Sequence, residues 1–271
     1  MGDEMAADVN TRNTGPRAHP GWWRRPWVLP LGALIAAFLA FSIPPYLGLD
    51  PARSRVPQPA GFPEQYYFLI AHIAFGTVAI VTGFLQVWPW FRRTHRRWHR
   101  MAGRVYVLGG VVPAGLAGLV VGVTSVFGPL SQVSAVLLVT LWLTTTILGY
   151  RRARQRRFAE HREWMIRSYA LTASTITNRG WAPLAAVLLE PKIDTLFGGS
   201  EIAFMFTVAG LSSWLGWVLP LVVVEAWLIR DRNKRRVSAG RVGAGERGRP
   251  TATAPPSDRA RGGAATTALR P

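Results

Sequence analysis

Residues 165–189 read MIRSYALTASTITNRGWAPLAAVLL. As a helix this stretch crosses about 30 Å of hydrocarbon at about 1.5 Å per residue. Yet it carries Arg179 about 14 residues beyond its basic end, roughly 21 Å along the helix axis. A charge at that depth costs about 2.5–3.5 kcal/mol on insertion scales, so it belongs in a protein interior with a partner. The stretch therefore reads as one helix of a multi-helix membrane bundle. The matching expectation is that Arg179 is buried against the second or sixth apolar helix. There it would be hydrogen-bonded to His72, Asn178, backbone carbonyls or trapped water.

Five further apolar segments flank it: Trp27–Ile43, Tyr66–Trp90, Val105–Val126, Val133–Tyr150 and Ile202–Ile229. Each is long enough to span as a helix. The chain is 49% hydrophobic and has positive mean hydropathy, +0.15, despite a net charge of +18. Soluble domains rarely combine these values. The basic residues form short runs at the ends of the apolar segments, which argues against nucleic acid as their partner and for lipid headgroups.

Orientation follows from where those runs lie. The cytoplasmic set under the positive-inside rule is 1–26, 91–104, 151–167 and 230–236, with 22 Lys and Arg. The alternate loops 44–65, 127–132 and 190–201 hold three. The expectation is an all-α integral membrane bundle of six transmembrane helices, with the N-terminus and C-terminus cytoplasmic. Residues 1–26 read as a mobile basic arm, 27–230 as the transmembrane domain and 231–271 as a disordered basic tail. A cleaved leader fits the first segment less well, because no Ala-x-Ala pattern follows it. The bias to Arg over Lys, with abundant Ala and Gly, suggests a GC-rich bacterial genome and hence the bacterial plasma membrane.

Chemistry is bounded by what is missing. The sequence has no cysteine. This excludes disulfides, thiolate catalysis and Cys-bound metals. It also has no Gly-x-Ser-x-Gly elbow, no phosphate loop of the Walker type and no His-Glu-x-x-His, so a soluble-type enzyme is not indicated.

Two loops resemble each other. One reads His99-Arg100-Met101-Ala102-Gly103-Arg104-Val105-Tyr106, the other His161-Arg162-Glu163-Trp164-Met165-Ile166-Arg167-Ser168-Tyr169. Both begin His-Arg and end Arg-x-Tyr as the next apolar helix starts. Either this is a duplicated helical hairpin, or basic loops followed by an interfacial Tyr coincide. With Ala71-His72-Ile73-Ala74, these motifs resemble the bacterial membrane-protein family called domain of unknown function 2306, over about Tyr67–Leu189. The resemblance implies a multi-span membrane protein and brings no functional residues with it.

Helical spacing defines two stripes. His72, Gly76, Ala79, Gly83 and Gln86 share one face of the second apolar helix. Ser168, Thr172, Thr175, Arg179, Ala182 and Ala186 share one face of the fifth. Small residues let helices approach closely, so Gly76 and Gly83 are expected at helix contacts. His72, Asn178 and Arg179 fall at one depth, as an intramembrane polar site. His95, His99, Arg100, Arg104, His161, Arg162 and Arg167 fall at the cytoplasmic boundary, as candidates for an anion, a headgroup or a metal. Glu160 or Glu163 could complete a metal site with His99 and His161, and Glu225 is expected to pair with Arg104 or Arg167. Haem b would need a second axial ligand beside His72, where only Met205 offers itself, or a pair among His95, His99 and His161. Three readings stay open: a binding or transport bundle for an anionic or amphiphilic solute, a haem or metal redox protein, and an assembly factor with an unknown membrane partner.

Overall fold

The computed structural model describes residues 26–247, and side chains as far as residue 237. All regular elements among the described residues are helical. They are α1 (Val28–Ser42), α2 (Gln65–Val87), α3 (Pro89–Thr94), α4 (Arg96–Arg104), α5 (Val112–Val123), α6 (Pro129–Arg154), α7 (Phe158–Leu189), α8 (Ile193–Phe197) and α9 (Glu201–Arg247). Among the described residues, five helical stretches are long and apolar enough to cross a membrane: Val28–Tyr46, Gln65–Val87, Arg96–Val123, Pro129–Arg154 and Glu201–Val237.

α7 is not one of the five, although at 32 residues it is the second longest helix. The reason is its polar content. Asn178 and the exposed Arg179 in its middle lower its hydropathy most, and Ser168, Thr172 and Ser174, buried inside the bundle and hydrogen-bonded there, lower it further.

Local sequence explains the breaks. Pro44-Pro45 ends α1 in a single 3-10 turn. Between α4 and α5, Val105–Val111 forms a π-helix just before Pro113. A wider turn relieves the clash of a proline ring with the preceding carbonyls. Gly128, at φ +86°, makes the short reversal into α6.

Packing is close where small residues meet. A Cβ on Gly110 would lie 2.9 Å from the Ala79 Cα, so α2 and the π-helix touch backbone to backbone. Gln65 at the start of α2 donates to the Thr124 hydroxyl at the end of α5, 2.9 Å away. Phe84 of α2 lies against Gly32 of α1, and Val28 and Ile35 are buried. α1 is thus packed on the bundle and is more than an anchor.

Two basic segments are helical. The segment 91–104 is helical as α3 and α4, apart from His95 between them. The tail expected to be disordered from residue 231 is helical through Arg247, with an Asp231–Arg235 pair at 3.1 Å one turn apart. The arm 1–25 and residues 248–271 lie outside the described residues. The chain divides into two compact units, Met1–Ala226 and Trp227–Pro271, and the candidate site lies in the first.

Candidate functional site

A cavity of about 330 Å³ lies among the helices. Every long helix contributes to its wall: Phe38 from α1, Gly76 from α2, Val121 from α5, Trp142 from α6, Thr175 from α7 and Trp217 from α9. His72, Asn178 and Arg179 also line it. The three residues that the helical stripes placed at one depth therefore do meet around one space.

Their interactions differ from the expectation. His72 does not bond Arg179. Its Nδ1–H donates to the Ala114 carbonyl of α5 at 2.8 Å. The ring fits there because residue 118 is glycine: a Cβ would stand 2.5 Å from Nδ1. Asn178 packs on α9, where a Cβ on Gly216 would lie 2.9 Å from its Cβ, and the neighbouring Thr177 hydroxyl donates to the Gly216 carbonyl. Arg179 is exposed, not buried against the second or sixth apolar helix, and has no hydrogen-bond or ion-pair partner among the described residues. The physical reason is that α9 presents a carbonyl and a glycine to this part of α7, and Thr177 and Asn178 already occupy them.

The glycine stripe of α2 also divides. Gly83 is a close contact: a Cβ there would come 2.5 Å from the Tyr169 ring and 2.9 Å from that of Tyr106. The last tyrosines of the two similar loops thus converge on one glycine. Gly76 is not a contact, since nothing lies within 4 Å of a Cβ built on it. It opens space for the cavity.

One side of the cavity is fixed by a buried hydroxyl cluster, of which the stripes revealed only Ser168 and Thr172. Tyr106 Oη is 2.7 Å from both Ser168 Oγ and Thr172 Oγ1. Ser168 Oγ is 2.6 Å from Thr146 Oγ1, and Trp142 Nε1 donates to Thr172 Oγ1 at 2.9 Å. Thr172 spends its own proton on the Ser168 carbonyl. It must therefore accept from both Trp142 and Tyr106, which fills its two lone pairs. The Tyr106 oxygen is left to accept from Ser168, and the single Thr146 proton then serves Ser168 in place of the Trp142 carbonyl 2.7 Å away. The cluster ties the π-helix, α6 and α7 together beside the cavity wall formed by Trp142 and Thr172. Thr144-Thr145-Thr146 in the middle of an apolar segment was the sequence signal for it.

The residues of the expected cytoplasmic level are arranged otherwise. Arg100 and Arg104 are exposed on α4. Arg167 makes a two-pronged pair with Glu225, one prong at 3.0 Å, with Glu163 at 4.0 Å and the Trp164 ring beneath its guanidinium. Of the two partners expected for Glu225, the structure selects Arg167. His161 Nδ1 donates to the Gly149 carbonyl at 2.8 Å, and the His99 carbonyl accepts from Gln86 Nε2 at 3.0 Å. Nδ1 of His95 and of His99 is buried without a hydrogen-bond partner. Arg162 lies half-buried near the start of α7. Glu160 is held by Arg152 and Arg157 at 3.1 and 2.6 Å, so it is not turned to His99 and His161. Among the described residues no three His, Asp or Glu side chains form a group that could hold a metal. Met205, the one candidate to face His72 across a haem, is 39% exposed.

No curated protein and no solved structure matches the chain. A family model does match, over residues 69–228, and its description is predicted membrane protein (DUF2306). The match runs from inside α2 into α9, so it takes in most of the cavity wall as well as both similar loops. With its apolar helices and this match over more than half its length, the chain belongs to the DUF2306 family of multi-pass membrane proteins.

Proposed function

We propose that this protein is a six-span bundle of the bacterial plasma membrane whose central cavity binds a small amphiphilic anion. The observation that carries the reading is Arg179. Among the described residues it is the one charged side chain on the wall of an otherwise neutral, largely apolar cavity, and no carboxylate lines the cavity with it. Concave apolar sites with a few placed polar groups are where small ligands bind. A guanidinium recognises carboxylate or phosphate oxygens by two parallel hydrogen bonds.

α7 is the sixth span in this reading, supported by its length and by the inward placement of its hydroxyl groups. Both termini are cytoplasmic by the basic-residue asymmetry. The exposed arginines of α3 and α4, with Trp98 and Met101 exposed beside them, suit contact with anionic lipid headgroups. The transport reading adds only that the bound anion moves across the bundle.

Trp142 and Trp217 on the cavity wall supply the assay. Full-length protein in phosphatidylcholine nanodiscs is titrated with terminally brominated undecanoate, whose bromine quenches nearby indoles. Saturable quenching that dodecanoate displaces, and that Arg179→Gln weakens at least tenfold, is expected. Quenching that rises linearly, with no saturation and no dependence on Arg179, would remove the proposal.

A further inference from the structure

Resting on the cavity reading, we infer that His72 selects a ligand that carries an O–H donor in addition to its anionic group. Hydroxylated fatty acids are the simplest such class. The direction of one hydrogen bond sets the tautomer of the ring. A carbonyl only accepts, so the Nδ1 that lies 2.8 Å from the Ala114 oxygen bears the proton. Nδ1 and Cε1 both press against Gly118, where a Cβ would stand 2.5 and 2.8 Å from them. That edge of the ring is therefore committed to α5.

Nε2 belongs to the remaining part of the ring, on a side chain that lines the cavity, and it has no partner among the described residues. In the neutral imidazole Nε2 is an acceptor with a lone pair. The neutral form suits the surroundings: among the described residues the cavity wall has no carboxylate to balance an imidazolium, and its one charge, Arg179, has the same sign. The pinned ring cannot rotate to present N–H to the cavity without losing its bond to Ala114. His72 is thus a fixed acceptor, and Arg179 is the charged donor on the same wall.

The consequence is a difference between ligands. A plain alkyl chain filling the cavity would cover Nε2 and leave it unpaired, and buried polar groups left unpaired are what sites use to reject analogues. A chain with a hydroxyl at the right carbon replaces the lost water. The test uses the wild-type protein in nanodiscs with brominated undecanoate bound. It is displaced by dodecanoate and, separately, by its α-, β- and ω-hydroxy derivatives. At least one hydroxy derivative is expected to displace the probe at a concentration about tenfold below that of dodecanoate, equivalent to about 1.4 kcal/mol. His72→Phe should keep dodecanoate binding and abolish the preference. If that variant does not fold, the wild-type comparison decides alone. Equal displacement by dodecanoate and all three derivatives would overturn the role of His72 while leaving the cavity reading intact. Absence of saturable probe binding would fail the cavity reading instead.

Discussion

His72 and Gly118 are one fit made from two helices. The imidazole occupies the space that a side chain at residue 118 would fill, 2.5 Å from the place of its Cβ, and this seats Nδ1 on the Ala114 carbonyl. Gly118→Ala must therefore push the ring away or force the helices apart. Overpacking of this kind costs about 1–3 kcal/mol. The expected result is a lower thermal midpoint in detergent and loss of any preference for hydroxylated ligands. An unchanged midpoint would mean that His72 moves freely in its seat.

Gly83 and Gly76 sit on one face of α2 but should respond in opposite ways. Gly83→Ala drives a methyl group into the rings of Tyr169 and Tyr106 and is expected to destabilise the bundle by about 1–3 kcal/mol. Gly76→Ala meets nothing within 4 Å and should leave stability near wild type. Gly76→Leu would fill part of the cavity instead, so probe quenching should fall while the fold persists. Equal destabilisation by both alanine substitutions would contradict the packing described.

Tyr106→Phe removes one hydroxyl from the buried cluster. Ser168 loses an acceptor and Thr172 a donor, all within a buried site. Leaving such groups unpaired costs about 1–3 kcal/mol. Equilibrium unfolding in mixed detergent checks this, and a double-mutant cycle with Thr172→Val should show strong coupling.

Arg167 has Glu225 as its two-pronged partner and Glu163 only at 4.0 Å. Glu225 is 38% exposed, so solvent or headgroups screen part of the pair. Glu225→Gln should lower stability by about 1–2 kcal/mol, and Glu225→Lys by more, because it sets two cations face to face. If both variants unfold with the wild type, the pair contributes nothing to the bundle.

The six-span reading makes a topological prediction. A C-terminal alkaline phosphatase fusion should be inactive and a C-terminal fluorescent-protein fusion bright, as a cytoplasmic end requires. Phosphatase fused after residue 200, in the loop before α9, should be active. The opposite pattern at either position would reverse the orientation or remove α7 from the membrane.

The membrane class, the apolar segments and the placement of basic runs could be read directly from residue order, because burial in lipid is a demand on each helix separately. The period of 3.6 residues also put His72 with Gly76, and Thr175 with Arg179, on common faces, and those faces do line one cavity. Spacing along one helix does not say which helix comes opposite, at what height, or which backbone group is free. Hence Gly76 and Gly83 were indistinguishable until Tyr169 and Tyr106 were seen to lean on only one of them. In the same way, the partner of His72 proved to be a carbonyl on α5, which no side-chain pattern encodes. Arg179 was conspicuous in the sequence because of its charge, but its lack of a partner depends on α9, where Gly216 meets Asn178 and Thr177. Tyr106, Ser168 and Thr146 come from three separate segments, and only packing brings their hydroxyls within hydrogen-bond range.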